Sequence, residues 1–168
     1  YFYQVVYLIC PSGMIVYNNW HVGVVIPARN EEGLIGGVLS DIPSYVDKVI
    51  VVNDGSTDST DEVAREYSNE KYELTILQNN GQGVGSSIDR GHQELLKQYE
   101  NPFISVVMAG DGQMDPEDME NLLQPIISGA ADYSKGDRFI HPQGVSNMPI
   151  IRRLASQILA FFTTLVAG

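Results

Sequence analysis

The chain has 168 residues, 43% apolar and 18% charged, with a formal net charge of −11. That length gives one domain, or one domain with an appendage, and enough chain to bury a core. The acidic balance excludes a nucleic-acid partner, which needs a basic footprint, and the single cysteine, Cys10, excludes an internal disulfide or a cysteine metal cluster.

No apolar run reaches the roughly 18 residues of a spanning helix. Tyr1 to Cys10 are aromatic and apolar until Pro11, Ser12 and Gly13 stop them. No basic region precedes them, which argues against a signal peptide. Three readings of residues 1–20 stay open: an extra strand, a membrane-proximal piece or a remnant of expression. The chain starts without Met and ends at Gly168 directly after an apolar segment, so it reads as a piece of something longer.

Val22 to Ile26 is a β-branched run that predicts the first strand, and Pro27 is expected to end it. Ala28 to Glu32 form a loop and helix start, and Leu34, Ile35, Val38 and Leu39 give that helix an apolar face. Val46 to Val52 predict a second strand, running into Asn53-Asp54-Gly55-Ser56-Thr57-Asp58-Ser59-Thr60. This cluster is a turn and helix start, with Asp58 or Ser59 as cap. Leu74, Ile76 and Leu77 predict a third strand, followed by the glycine-rich Asn79 to Ser87. Such a loop before a helix can cradle phosphate on backbone amides, although its spacing is neither a dinucleotide fingerprint nor a P-loop. A helix is expected over about 84–99.

The next strand, through Phe103 to Met108, is nearly all apolar, as a strand covered on both faces should be. It is expected to end abruptly on Asp111, with Gln113 and Asp115 close behind. Gly110 and Gly112 let the backbone bend there and another group approach. A carboxylate and an amide at the carboxyl end of a buried strand suit a hard cation holding phosphate oxygens; a turn with surface acids is the plainer alternative. Pro116 opens a helix to Ile127, Ala131 to Ser134 form a short strand, and a final helix runs over about 149–167. Alternating strands and helices imply βαβ units, a mostly parallel sheet, and strand ends that converge on one cleft.

Five segments stand in order: Val-Ile-Pro-Ala-Arg-Asn-Glu-Glu (25–32), Val-Val-Asn-Asp-Gly-Ser-Thr-Asp (51–58), Asn-Gly-Gln-Gly-Val-Gly (80–85), Ala-Gly-Asp-Gly-Gln-Met-Asp-Pro (109–116) and Lys-Gly-Asp-Arg-Phe (135–139). Together they resemble the family 2 glycosyltransferases of the GT-A fold, and most closely the dolichol-phosphate mannose synthase-like branch, which moves a sugar from a nucleotide onto a polyprenyl phosphate. The resemblance spans about residues 22–168. It implies an α/β, Rossmann-like GT-A domain over 21–147 and an amphipathic helix at the membrane interface over 148–168.

The same resemblance assigns roles by position. Pro27, Arg29 and Glu31 fall where the family contacts base and ribose, and Val52, Asn53 and Asp54 at a second nucleotide contact. The family usually has Asp where Asn53 stands; an amide can still bond a base edge but brings no charge. Ala109, Gly110 and Asp111 fall on the Asp-x-Asp metal motif, with Ala109 in place of the first Asp. Asp111 and Gln113 are then the ligands for Mg²⁺ or Mn²⁺, completed by diphosphate oxygens and water. Arg138 falls near the donor diphosphate and acceptor phosphate. Arg152 and Ser156, four apart and so on one helical face, fall on a pair that binds the lipid phosphate.

The implied partners are a nucleotide-diphosphate sugar, a polyprenyl or dolichyl phosphate and a membrane surface, at the cytoplasmic face. UDP and GDP donors both stay open, with UDP slightly preferred. The reaction is an inverting displacement at the anomeric carbon. The acceptor is already anionic, so no strong base is needed, and Asp111 and Arg138 serve the leaving diphosphate. Asp115 caps the next helix or assists as a base, with the cap favoured. His21 and His92 are expected to be structural. In the last helix Ile151, Leu154, Ile158, Phe161, Phe162 and Leu165 share one side, which suits either a membrane interface or the domain's own sheet. Two further readings keep the motifs: a polysaccharide or protein acceptor, and a non-catalytic nucleotide-sugar-binding module.

Overall fold

The computed structural model describes residues 5–9, 20–67, 71–99, 102–116 and 118–136, the first of these by backbone alone. The chain divides into two compact units, Tyr1–Gly136 and Asp137–Gly168. The second unit, with the expected helix over 148–168 and boundary at 147, lies outside the described residues.

The described elements are, in chain order, β1 (Val5–Ile9), β2 (His21–Ala28), α1 (Ile35–Ser40), β3 (Lys48–Asn53), α2 (Thr60–Glu66), β4 (Glu73–Gln78), α3 (Val84–Gln98), β5 (Phe103–Val107), α4 (Asp118–Ile127) and β6 (Tyr133–Lys135). They build one sheet in the order β4-β3-β2-β5-β1-β6. β4, β3, β2 and β5 run parallel, while β1 lies antiparallel between β5 and β6. The segment with three open readings therefore supplies an inner strand. The expected strand over 131–134 is β6, two residues later at its start, and it pairs with β1 rather than extending the parallel set.

β2, β3 and β5 are buried on both faces, and their residues alternate between the two layers, while β4 is a half-exposed edge strand. Val22, Val24 and Ile26 of β2, Val49 and Val51 of β3, and Ile104 and Val106 of β5 pack with Ile35, Leu39, Ala64, Met119 and Leu123 of α1, α2 and α4. Val25, Ile50, Val52 and Phe103 pack with Leu95 of α3 on the opposite face. Leu34, expected on the apolar face of α1, is 50% exposed because the helix starts one residue later.

Pro27 does not end β2. A proline lacks only the donor, and its carbonyl still accepts the Gly110 N–H at 3.3 Å, so the strand runs on to Ala28. On the other side β5 ends at Val107, four residues before Asp111, but Met108 N–H still donates to Val25 O at 3.0 Å. The loop carrying Asp111 is thus laced to β2. α3 sits close on the sheet because two small residues face two large ones. A Cβ at Gly23 would lie 2.6 Å from Leu95 Cδ2, and a Cβ at Gly91 would run into Val25 Cγ1.

Gly91→Ala should therefore overpack the α3 face. The expected cost is about 1–3 kcal/mol, read from the denaturant midpoint. An unchanged midpoint would show that α3 can lift off the sheet without penalty.

Candidate active site

The carboxyl ends of β2, β3 and β5 and the start of α3 enclose a cleft of about 300 Å³. Its walls are Pro27, Ala28, Arg29 and Glu31 after β2, Asp54 after β3, Gly83 and Val84 at α3, and Ala109, Gly110 and Asp111 after β5. Of the nine positions expected to bind a nucleotide sugar, Pro27, Arg29, Glu31, Asp54, Ala109, Gly110 and Asp111 converge here. Gly110 lets the β2 and β5 ends approach closely, since a Cβ there would lie 3.2 Å from Ala28 Cβ.

Val52 and Asn53 do not line the cleft. The Val52 side chain is fully buried in the α3-side core. Asn53 is 5% exposed, and both ends of its amide serve the fold. Its Nδ2 donates to Asp61 Oδ1 at 2.6 Å, and its Oδ1 accepts from Ser56 N–H at 2.7 Å. These two bonds shape the turn after β3.

Gln113 also lies outside the lining. It is exposed, and its backbone N–H donates to Asp111 Oδ1 at 3.1 Å, closing a turn that aims the acid. Of the expected metal pair, Asp111 lines the cleft and Gln113 does not. Among the described residues no three His, Cys, Asp or Glu side chains are grouped to hold a metal. One carboxylate still fits Mg²⁺ or Mn²⁺, because these ions keep several water or substrate-phosphate ligands. Asp115 is exposed and outside the lining, and its carbonyl accepts the Asp118 N–H at 3.1 Å. Arg138, Arg152, Ser156 and His141 lie outside the described residues.

Two loops brace each other at the mouth. Asn30 adopts a left-handed φ of 57°, donates its N–H to Ser56 Oγ at 3.0 Å and accepts from Thr57 N–H at 2.9 Å. Glu31 N–H donates to Thr60 Oγ1 at 2.9 Å. Glu32 N–H donates to Asp58 Oδ2, and Ser59 N–H to Glu32 Oε2. The Thr60 hydroxyl, ahead of the backbone donors, holds the Asp58 carboxyl below the ordinary range. Asp58 thus helps start α2, while Ser59 sits at the cap position without a side-chain bond.

The cleft is rich in acid. Among its described lining residues Arg29 is the single cation against Glu31, Asp54 and Asp111. Burial pushes the Glu31 carboxyl up, and the charges of Asp111 and Asp58 push it further. Asp54 accepts Gly83 N–H on both oxygens, at 3.1 and 3.0 Å, and Asn79 Nδ2–H at 2.8 Å. Its charge is therefore directed into the fold. Gly83, Val84 and Asn79 are not singled out by the sequence as site residues; the only signal is the glycine-rich run itself.

The histidines stay away from this chemistry where they are described. His21 stacks on Tyr99 at 5.1 Å and approaches Asp47 at 3.5 Å, at the opposite end of the strands. Burial holds His92 below its ordinary range.

A mixed α/β sheet with four parallel strands, and an acidic cleft at their carboxyl ends that Asp111 enters from the loop after β5, is an arrangement suited to a nucleotide-sugar transferase of the GT-A kind. The chain belongs to glycosyl transferase family 2, whose family description covers residues 23–166. It is similar to the UDP-N-acetylglucosamine–dolichyl-phosphate N-acetylglucosaminyltransferase of Methanococcus voltae, at 31% identity over 86% of this chain and 62% of that one. It is also similar to a dolichol-phosphate mannosyltransferase of Pyrococcus furiosus, at 31% identity over 81% of this chain and 38% of that one. The chain thus spans under two thirds of these relatives. Its fold resembles glucosyl-3-phosphoglycerate synthase from Mycobacterium tuberculosis, crystallised with Mn²⁺, UDP-glucose and phosphoglyceric acid. That match has a TM-score of 0.53 and 25% identity, and covers 66% of this chain and 40% of the other.

Glu31 gives a test of the crowded charge. Its raised proton affinity contributes stability below the ordinary glutamate value of 4.5, lost as pH rises through the raised value. At pH 7 the charge is therefore a cost. Glu31→Gln should raise the thermal midpoint at pH 7, and the gain should shrink below pH 4.5. A gain that is constant across pH would refute the electrostatic cause.

Proposed function

We propose that the chain is the donor-binding, catalytic part of an enzyme that transfers a sugar from a nucleotide-diphosphate sugar to a polyprenyl phosphate. The observation that carries this reading is the position of Asp111 in an acidic cleft beside Arg29, in a chain similar to two dolichyl-phosphate sugar transferases. UDP is the favoured nucleotide. The Methanococcus voltae relative is named for a UDP-sugar, and the Mycobacterium tuberculosis synthase was crystallised with UDP-glucose.

Within this reading, Pro27, Arg29 and Glu31 face the base and ribose, and Asp111 would hold Mg²⁺ or Mn²⁺. Such an ion would offset negative charge on the leaving diphosphate. A diphosphate needs that help here, because the cleft already presents three carboxyl groups to one guanidinium. Arg29 contributes a planar fork of donors suited to phosphate or carbonyl oxygens. Arg138, Arg152 and Ser156 bind the acceptor phosphate. The acceptor oxygen attacks the anomeric carbon as the bond to the diphosphate breaks, and the configuration inverts. The acceptor carries its charge at neutral pH, so no general base is called for. The enzyme works at the cytoplasmic face of a membrane. Among the described residues no helix is long and apolar enough to cross one.

Asp111→Asn should lower transfer about 100-fold or more, the scale of losing one preorganised charge at the reacting centre. It should also weaken the response to added Mn²⁺. The readout is nucleoside diphosphate released per minute. Near-normal turnover would overturn the role given to Asp111.

A further inference from the structure

The glycine-rich loop between β4 and α3 makes no contact assigned to the reaction, yet its end forms one wall of the cleft. Asn79, at the start of that loop, is 1% exposed. Its Nδ2 lies 2.8 Å from Asp54 Oδ1, 3.0 Å from Ser87 Oγ and 3.3 Å from Gly83 O. Its Oδ1 accepts the Ser86 hydroxyl at 3.1 Å, and its own N–H donates to Asn53 O at 2.8 Å. One buried side chain therefore joins the end of β3, the loop and the first turn of α3.

The loop needs such a hold. Asn80, Gly81 and Gly83 all have left-handed φ, at 53°, 73° and 92°. Such conformations persist where their surroundings fix them. The loop also lies against the turn after β3, where a Cβ at Gly55 would come within 3.0 Å of Gly81 N. Gly83 then accepts the Ser87 N–H at 3.0 Å and starts α3, with Val84 at the cleft. Asp54, 5% exposed, directs its carboxylate into this network by way of Gly83 and Asn79.

We propose that Asn79 is a positioning residue of the donor cleft: acting with Asp54, its buried amide seats Gly83 and fixes the wall that Gly83 and Val84 present to the nucleotide. The proposal rests on the donor-cleft reading above. An amide is the right group, because it must donate to a carboxylate and accept a hydroxyl at once. Alanine would leave the buried Asp54 oxygen short of a donor, and aspartate would set a second carboxylate against it.

The test uses the whole chain and two readouts. The first is amide hydrogen exchange across residues 80–85 without nucleotide. The second is calorimetric binding of UDP and of GDP, each with Mn²⁺. Asn79→Ala should speed exchange in the loop by about tenfold or more, leave β2 and β3 protected, and weaken nucleotide binding by about tenfold. Ser87→Ala, which removes one partner, should give a smaller change of the same sign and serves if Asn79→Ala does not fold. Unchanged loop exchange would overturn the proposal, as would faster exchange with unchanged affinity. If the unaltered chain binds neither nucleotide, the donor-cleft reading fails, and the exchange readout alone decides whether Asn79 seats the loop.

Discussion

Three walls of the cleft meet at Asp54. Its backbone N–H donates to Ala28 O at 2.9 Å, just past the register of β2 with β3. Its carboxylate takes the Gly83 N–H on both oxygens. The β2 loop, the β3 turn and the start of α3 are therefore fixed to one residue. Asp111 arrives on the fourth wall, held to β2 by the Gly110 N–H. Such an arrangement is available because parallel strands buried on both faces deliver all their carboxyl ends to one edge.

Charge then decides what the cleft can do. Three carboxyl groups and one guanidinium make a poor site for a diphosphate by themselves. The structure treats the three acids differently. Asp54 is turned into hydrogen bonds, Glu31 holds its proton more tightly than usual, and Asp111 keeps one oxygen clear of its turn with Gln113. That graded set favours a divalent cation carried with its substrate over a cation caged by protein.

Much of this is legible in the residues. The β-branched runs, the strand ends rich in Asp and Gly, and the helix over about 84–99 are readable from residue type and spacing. Pro27 is misjudged when a rule about missing donors is applied to a residue whose carbonyl carries the bond. β1 is one of three readings, since an antiparallel insertion is decided by the exposed flank of β5 and not by the segment's own pattern. Asn53 is expected at a base, whereas Asp61 on the next helix claims its amide. Asn79 stays hidden because its main partner, Asp54, is 25 residues away, and buried polar networks leave no local periodicity. Arg138, Arg152 and Ser156 lie outside the described residues, and their roles rest on the resemblance alone.

The central claim is a lipid-dependent sugar transfer at this cleft. Its most direct test is release of nucleoside diphosphate from a panel of UDP- and GDP-sugars, with Mn²⁺ or Mg²⁺, with and without a polyprenyl phosphate. At least one donor, a UDP-sugar first, should give release that requires both the lipid and the metal. Binding of a nucleotide with no lipid-dependent release from any donor would contradict the claim.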